Sequence, residues 1–290
     1  SDPTKSSQYS PQINGGNGRN VNYQIDGGDN NDDTVGGLLQ LFPLEAIQEF
    51  NFVTSRYKAE YGRSNGGVMN IVTKSGTNEL RGSWFTLMRD TAMNAKTETE
   101  KLTESDKQDY SRWQYGGSVG GPIVKDKVHY FGAFERTQQD TFQVVDTQRL
   151  FPNEDGIFGT PYRETCLTVR GTIRYGRNEN SQPYGADART PVSGWGESGN
   201  SFNSFNVNHN WVLGGSKLNE IVFQYADFSN AITANSTDPT QIFPNGVAVA
   251  ADGSAVYLAE TYRNQILRYP IATDGSVGPR HAQSGRRRER

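Results

Sequence analysis

The chain has 290 residues, a net charge of -3 at pH 7, and only 33% hydrophobic residues. The near-neutral charge gives no footing for nucleic-acid binding. The 11% aromatic share, with 14 Tyr, 14 Phe and 32 Gly, argues against wholesale disorder and for short strands joined by polar turns.

Cys166 is the only cysteine, which excludes an internal disulfide and a Cys-based zinc cluster. His129, His209 and His281 are too scattered for a histidine metal motif. No apolar segment follows Ser1, so no signal peptide is expected, and no run reaches the roughly 20 apolar residues of a spanning helix. Barrel strands alternate and give no such peak, so a membrane barrel stays open.

In chain order, residues 1–12 read as disordered, and residues 26–33 as turn and loop that do not match an EF-hand. Pro43 to Phe52 reads as a short helix running into a strand, because Leu44, Ile47 and Phe50 recur every three residues after a proline. Val68 to Lys74 is a buried β-branched strand, Ser83 to Arg89 a further strand, and Lys96 to Asp109 a charged loop. Residues 113–124 and 128–137 flank the turn Lys125-Asp126-Lys127. The clearest hairpin has Phe205, Val207, His209, Trp211 and Leu213 alternating with Asn206, Asn208 and Asn210, a turn at residues 214–216, then Ile221, Phe223 and Tyr225. One face is apolar and the other polar, which suits a half-buried soluble sheet or a lipid-facing wall equally. Three more short strands follow, at 245–249, 255–260 and 266–269, with an Asp252-Gly253 turn, and residues 279–290 form a basic, disordered tail.

Two stretches satisfy Gly-x-Ser-x-Gly, around Ser64 and Ser118. A hydrolase elbow needs a strand-to-helix turn there, with a histidine and an acid converging. Neither match precedes a helical pattern, so both read as structural turns and no enzyme is expected.

Residues 22–32, 43–50 and above all 59–78, Ala59 through Asn78, resemble the plug domain of Oar-like TonB-dependent outer-membrane receptors. Residues 116–134 resemble the first barrel hairpin of that family, and the likeness extends over about 13–240. The implied fold is mainly β: a partial plug domain at 13–79, antiparallel strands of an incomplete outer-membrane β-barrel at 80–240, and a C-terminal tail. The resemblance implies outer-membrane lipid and a TonB-type energising complex as partners, and a large, unidentified ligand. Gly62, Gly66 and Gly67 are expected where the plug backbone turns in a crowded lumen, and Glu60 and Arg63 as charges meeting the polar barrel wall. A full barrel of this family has about 22 strands. The six to ten expected here are too few, so transport by this chain alone is not expected.

Residues 241–278 are similar instead to one blade of a gluconolactonase- or strictosidine-synthase-like propeller. That resemblance implies a metal-ligand role for Asn245, with calcium as the ion, and supplies the alternative of a soluble secreted lactonase.

Overall fold

The computed structural model describes residues 13, 20–33, 36–54, 61–64, 66–102, 104, 106–148, 151–213, 217–235, 244–250, 252–260, 265–272, 279 and 281–284. The chain divides into two compact units, residues 1–234 and 235–290.

The first unit opens with a small mixed sheet of β1 (Val21–Ile25), β2 (Gly28–Asp29), β3 (Ile47–Val53) and β4 (Gly67–Thr73), in the order β2-β1-β4-β3. Strand β1 runs parallel to β4, from Val21 opposite Gly67 to Ile25 opposite Ile71. Its core gathers Ile13, Val21, Tyr23, Ile25, Met69 and Ile71, with Phe42, Ile47 and Phe52 packed against it. Complete burial of each large apolar side chain is worth about 1.5–3 kcal/mol.

The expected helix after Pro43 is a single 3-10 turn, Leu44–Ala46, and β3 begins at once. Leu44 and Phe50 are both more than half exposed, so their three-residue spacing does not mark a core face. Antiparallel pairing of β3 with β4 decides the conformation instead. The charged loop also departs from expectation: it contains a short helix, α1 (Glu98–Leu102). Thr97 and Glu100 cap it reciprocally. Thr97 Oγ1 accepts from Glu100 N at 3.3 Å, and Glu100 Oε2 accepts from Thr97 N at 2.6 Å.

A seven-stranded wall follows: β5 (Arg81–Asp90), β6 (Ser111–Val124), β7 (Val128–Asp140), β10 (Tyr162–Arg170), β11 (Ile173–Tyr184), β12 (Gly196–Leu213) and β13 (Lys217–Ala234). Every neighbouring pair is antiparallel, and β5 and β13 form the two edges. A separate hairpin of β8 (Phe142–Val145) and β9 (Gly156–Gly159) lies in the β7–β10 connection. Connections at one end of the wall are two or three residues long, as at 125–127 and 171–172, while those at the other end span 91–110, 141–161 and 185–195. Short turns on one side and long loops on the other are the layout of an outer-membrane barrel.

The two faces of the wall differ sharply. Trp84, Val119, Phe134, Val169, Ile173, Phe205, Phe223 and Tyr225 lie on the outer face, and each is more than a third exposed. The inner face carries Glu135, Thr137, Thr168, Arg174, Asn178, Asn180, Asn200, Ser204 and Asn206, all buried. Apolar residues outside and polar ones within invert the pattern of a water-soluble sheet.

The long loops are knit together. Asp146 N donates to Ala188 O at 2.8 Å, and Ser193 donates from both N and Oγ to Glu154, each at 2.7 Å. Buried Trp195 donates its indole N–H to Thr190 O at 2.9 Å and meets the Phe158 ring edge-on. The Thr147 hydroxyl and amide hold the Asp155 carboxyl below its ordinary range, and Thr190, with the Arg189 amide, does the same for Asp187. A carboxylate lowered on folding stabilises the fold above its unfolded pKa, about 3.9, and that contribution disappears as pH falls through the lower folded value. The Trp195 near-UV circular dichroism signal is therefore expected to hold from pH 7 to about 5 and to fade on further acidification. A signal that strengthened with acid would contradict this.

The second unit is a four-stranded antiparallel meander of β14 (Pro244–Val249), β15 (Ala255–Glu260), β16 (Gln265–Pro270) and β17 (His281–Ser284). Ala255 and Leu267 are its buried apolar residues among those described. Strand β17 lies within the stretch read as disordered tail: it pairs along β16, with Ala282 opposite Leu267. Backbone pairing of this kind needs no apolar period, so sequence pattern does not reveal it. The segment 1–12, apart from its sequence, lies outside the described residues.

Candidate functional site

The small sheet sits against the inner face of the wall through the β1–β2 turn, Asp26-Gly27. Both turn residues have positive φ, 47° and 74°, the conformation of a tight two-residue hairpin, where glycine is favoured second. A Cβ at the next residue, Gly28, would lie 2.3 Å from Gln224 Oε1 and 2.7 Å from Asn206 Nδ2, so a side chain there would displace these two amide ends of the wall.

The turn presents one carboxylate to two guanidinium groups. Arg174 Nε lies 2.8 Å from Asp26 Oδ2, and Arg170 Nη1 lies 3.0 Å from Asp26 Oδ1. The side chains of Asp26 and Arg174 are each only 2% exposed. Thr73, at the end of β4, donates from N to Oδ1 and from its hydroxyl to Oδ2, each at 2.8 Å. Arg170 also donates to Thr73 Oγ1 at 2.7 Å and to its carbonyl, so one arginine of the wall holds both β-strand ends of the small sheet. Asn208 Nδ2 donates to Asp26 O at 2.8 Å, and Gln224 Nε2 to Asp29 O at 2.7 Å. Arg174 stacks its guanidinium over the Phe42 ring at 5.2 Å and donates to Ser204 Oγ at 3.2 Å; Ser204 in turn donates to Gln40 Oε1 at 2.7 Å. Buried ions need pairing; Arg174 has it in the charge of Asp26 and the bond to Ser204, while its Nε and Nη2 lack hydrogen-bond geometry to any partner.

A second fastening lies along the wall. Glu135 of β7 accepts from Leu44 N at 2.8 Å and from Gln114 Nε2 at 2.6 Å, and so holds the 3-10 turn. Ala46, fully buried, packs beside Phe131 and Ala133. Further from the turn, the inner face carries an amide ladder: Asn230 Nδ2 donates to Asn200 Oδ1 at 2.8 Å, and Asn200 Nδ2 to Asn180 Oδ1 at 2.9 Å. Cys166 is buried on the same face, where Asn178 Nδ2 approaches its Sγ at 3.2 Å.

The residues singled out from the sequence lie elsewhere. Arg63, with φ at 61°, pairs with Asp29 of β2 and with Asp33 just beyond it, and all three side chains are at least half exposed. Its partners are therefore not on the wall. Pairs so exposed contribute about 0–1 kcal/mol. Arg63→Ala is accordingly expected to move the unfolding midpoint little, by less than about 1 kcal/mol in a denaturant titration. A larger loss would show a role for Arg63 beyond these pairs. Gly66 and Gly67 are crowded by Asn20 O and Val53 O of the small sheet itself, whereas a Cβ at Gly62 would meet open space. Glu60 lies outside the described residues, and Asn245 lies in β14 beside a register shift, its side chain likewise undescribed. No group of three or more metal-ligating side chains occurs among the described residues.

The serine motifs have structural tasks. Ser64 Oγ accepts from Gly67 N at 2.9 Å and lies 2.7 Å from Asn20 O, closing the loop before β4. Ser118 Oγ meets Ser83 Oγ at 2.8 Å on the inner face, while His209 stands exposed on the outer-face register of β12. Neither serine converges with that histidine.

Asp26, Arg170, Arg174 and Glu135 escaped the sequence reading as site residues. The available signal was alternation: Arg174 stands between Ile173 and Tyr175, and Glu135 between Phe134 and Arg136. It places a charge on one face of a strand but cannot name a partner as distant in sequence as Leu44 is from Glu135, 91 residues, or Asp26 from Arg170, 144 residues.

Comparison with known proteins agrees with this arrangement. A family model described as an outer membrane beta barrel domain matches residues 72–158. The chain is 32% identical over 187 residues, 63% of its length, to the TonB-dependent transporter Oar of Myxococcus xanthus, and 30% identical over 105 residues, 35% of its length, to a probable TonB-dependent siderophore receptor, PirA, of Acinetobacter baumannii. It spans 17% and 12% of those relatives. Together they place the chain in the outer membrane of a Gram-negative bacterium. The open sheets are consistent with an incomplete barrel. Neither comparison supports a propeller blade in the tail or a lactonase.

Proposed function

We propose that the chain forms the plug and adjoining wall of a TonB-dependent outer-membrane receptor for a large ligand, with residues 13–79 as plug and 80–240 as wall, and that it does not transport on its own. One observation carries this reading: a small sheet is fastened by the buried Asp26–Arg170–Arg174 cluster to the polar face of a wall whose other face is apolar. Such a partition is stable where lipid, not water, meets the outer face. The energising partner is a TonB-type complex, as the names of the relatives suggest.

Strand direction supports the claim of incompleteness. With seven strands alternating in direction, the edges β5 and β13 run the same way. Two copies set edge to edge about an axis along the wall would meet in parallel. An all-antiparallel closure requires an odd number of further strands, of different sequence. Left open in lipid, each unpaired backbone group would cost several kcal/mol.

The test is size-exclusion chromatography of the full chain with and without mild detergent. Aggregates in plain buffer that become one discrete species in detergent are expected. A sharp monomer peak in buffer alone would defeat the reading.

A further inference from the structure

The β8–β9 hairpin is apolar on both faces, and only one is covered. Val145 and Phe158 face the loop core, where Val145 is buried and Phe158 meets Trp195. On the opposite face Phe142, Val144 and Ile157 stand 38%, 42% and 69% exposed. They form one side of a cleft of about 690 Å³, a volume suited to a small ligand or a few peptide residues. The other side is the 91–110 loop, which contributes Glu100, Asp106 and Asp109.

This acidic side is built, not frayed. Glu100 accepts from Thr97 N and from Gln108 N at 3.0 Å, tying the start of α1 to the returning strand. Those two bonds hold its carboxyl below the usual range, so it stays charged at neutral pH. The one lysine in the cleft, Lys107, turns its ammonium to Thr91 O at 3.4 Å. Over residues 96–109 five acids (Glu98, Glu100, Glu104, Asp106, Asp109) oppose three lysines (Lys96, Lys101, Lys107), a net charge of -2. These acids do not gather into a metal cluster. Spread negative charge opposite a stripe of aliphatic and aromatic side chains complements a ligand that is cationic along one edge and apolar along the other. It repels anionic amphiphiles.

We propose that this cleft between the long loops binds a cationic amphipathic peptide segment, with apolar side chains on the Phe142–Val144–Ile157 stripe and basic ones toward Asp106 and Asp109. The inference rests on the receptor reading, which sets these loops on the outer surface, and names a ligand class for it.

The full chain in nanodiscs of zwitterionic lipid is titrated with a blocked heptapeptide of alternating lysine and leucine, and with its glutamate-for-lysine counterpart. Saturable binding of the lysine peptide is expected, weakening as salt is raised. Ile157→Thr and, separately, the double variant Asp106→Asn/Asp109→Asn are each expected to raise the Kd about tenfold, and the double variant to flatten the salt dependence. The exposed aspartates make the second variant safe for folding should the first disturb the hairpin. Equal Kd in wild type and the double variant, no saturable binding, or tighter binding of the glutamate peptide would overturn the proposal. Failure of the chain to enter nanodiscs as a discrete particle is a separate outcome: it defeats the receptor reading and, with it, the premise that places this cleft outside.

Discussion

Asp26→Ala is expected to unseat the small sheet from the wall, at a cost of about 3–5 kcal/mol. The substitution removes the carboxylate that faces Arg170 and Arg174 and leaves the almost wholly buried Arg174 with no acid beside it. It also removes the acceptor for Thr73 N and Oγ1, so β4 loses its terminal fastening. An uncompensated buried charge costs more than a pair contributes, and the sign of the effect therefore does not depend on whether the intact cluster is net stabilising. Asp26→Asn keeps the shape but not the charge, and should fall between wild type and Asp26→Ala. Pairing Asp26→Ala with Arg174→Leu should recover part of the loss, because it withdraws one of the two stranded cations. Denaturant unfolding in detergent, with limited proteolysis of residues 20–73 as a second readout, would measure this. A single-variant loss below about 1 kcal/mol, with no faster proteolysis, would show that the cluster does not hold the two sheets together.

The second large effect belongs to the outer face. Val119 of β6 is about half exposed, stands five residues inside the strand from its turn end, and lies in one register row with Gly132, Val169, Tyr175, Phe205 and Tyr225. If this row meets acyl chains, Val119→Arg should destabilise the chain in a bilayer by about 2–4 kcal/mol, the cost of a cation near mid-membrane on a barrel's lipid face. On a water-facing strand the same change falls within about 0.5 kcal/mol of neutral. The experiment is a chemical unfolding titration in lipid vesicles. A loss of the larger size supports a lipid-facing wall. A neutral or stabilising arginine would contradict it.

The wall was far more legible in the sequence than the site. Alternation fixed the β12–β13 hairpin because Phe205, Val207 and Trp211 on one side and Asn206, Asn208 and Asn210 on the other have no reading but an extended one. The Lys125-Asp126-Lys127 turn was equally plain, and Asp126 takes the positive φ, 62°, that such a turn requires. At residues 43–52 the order of short helix then strand holds, but the helix is one 3-10 turn: pairing with β4, a contact some twenty residues on, outweighs the three-residue spacing and starts β3 at Ile47. The Thr97–Glu100 capping box was present as Thr-x-x-Glu in the loop, but without an apolar run behind it the signature is weak.

The plug–wall contact could not be read at all. Asp26 lies in a run of Gly, Asn and Asp that signals only a turn. Its meaning comes from the two arginines that flank the 171–172 turn of the wall, which are brought to it by the register of strands far along the chain. The attention drawn to Arg63 and the glycines 62–67 followed a resemblance, and that segment instead closes the small sheet on itself.

The most direct test of a lipid-facing wall with its loops folded above it compares two tryptophans within one chain. Trp84 stands on the outer face, 70% exposed, and Trp195 is 2% exposed in the loop core. Single-tryptophan variants, with the other three changed to phenylalanine, are reconstituted into lipid brominated along its acyl chains. Strong quenching of Trp84 fluorescence and little change for Trp195 are expected. Trp84 fluorescence that ignores the brominated lipid, or equal quenching at both positions, would contradict it.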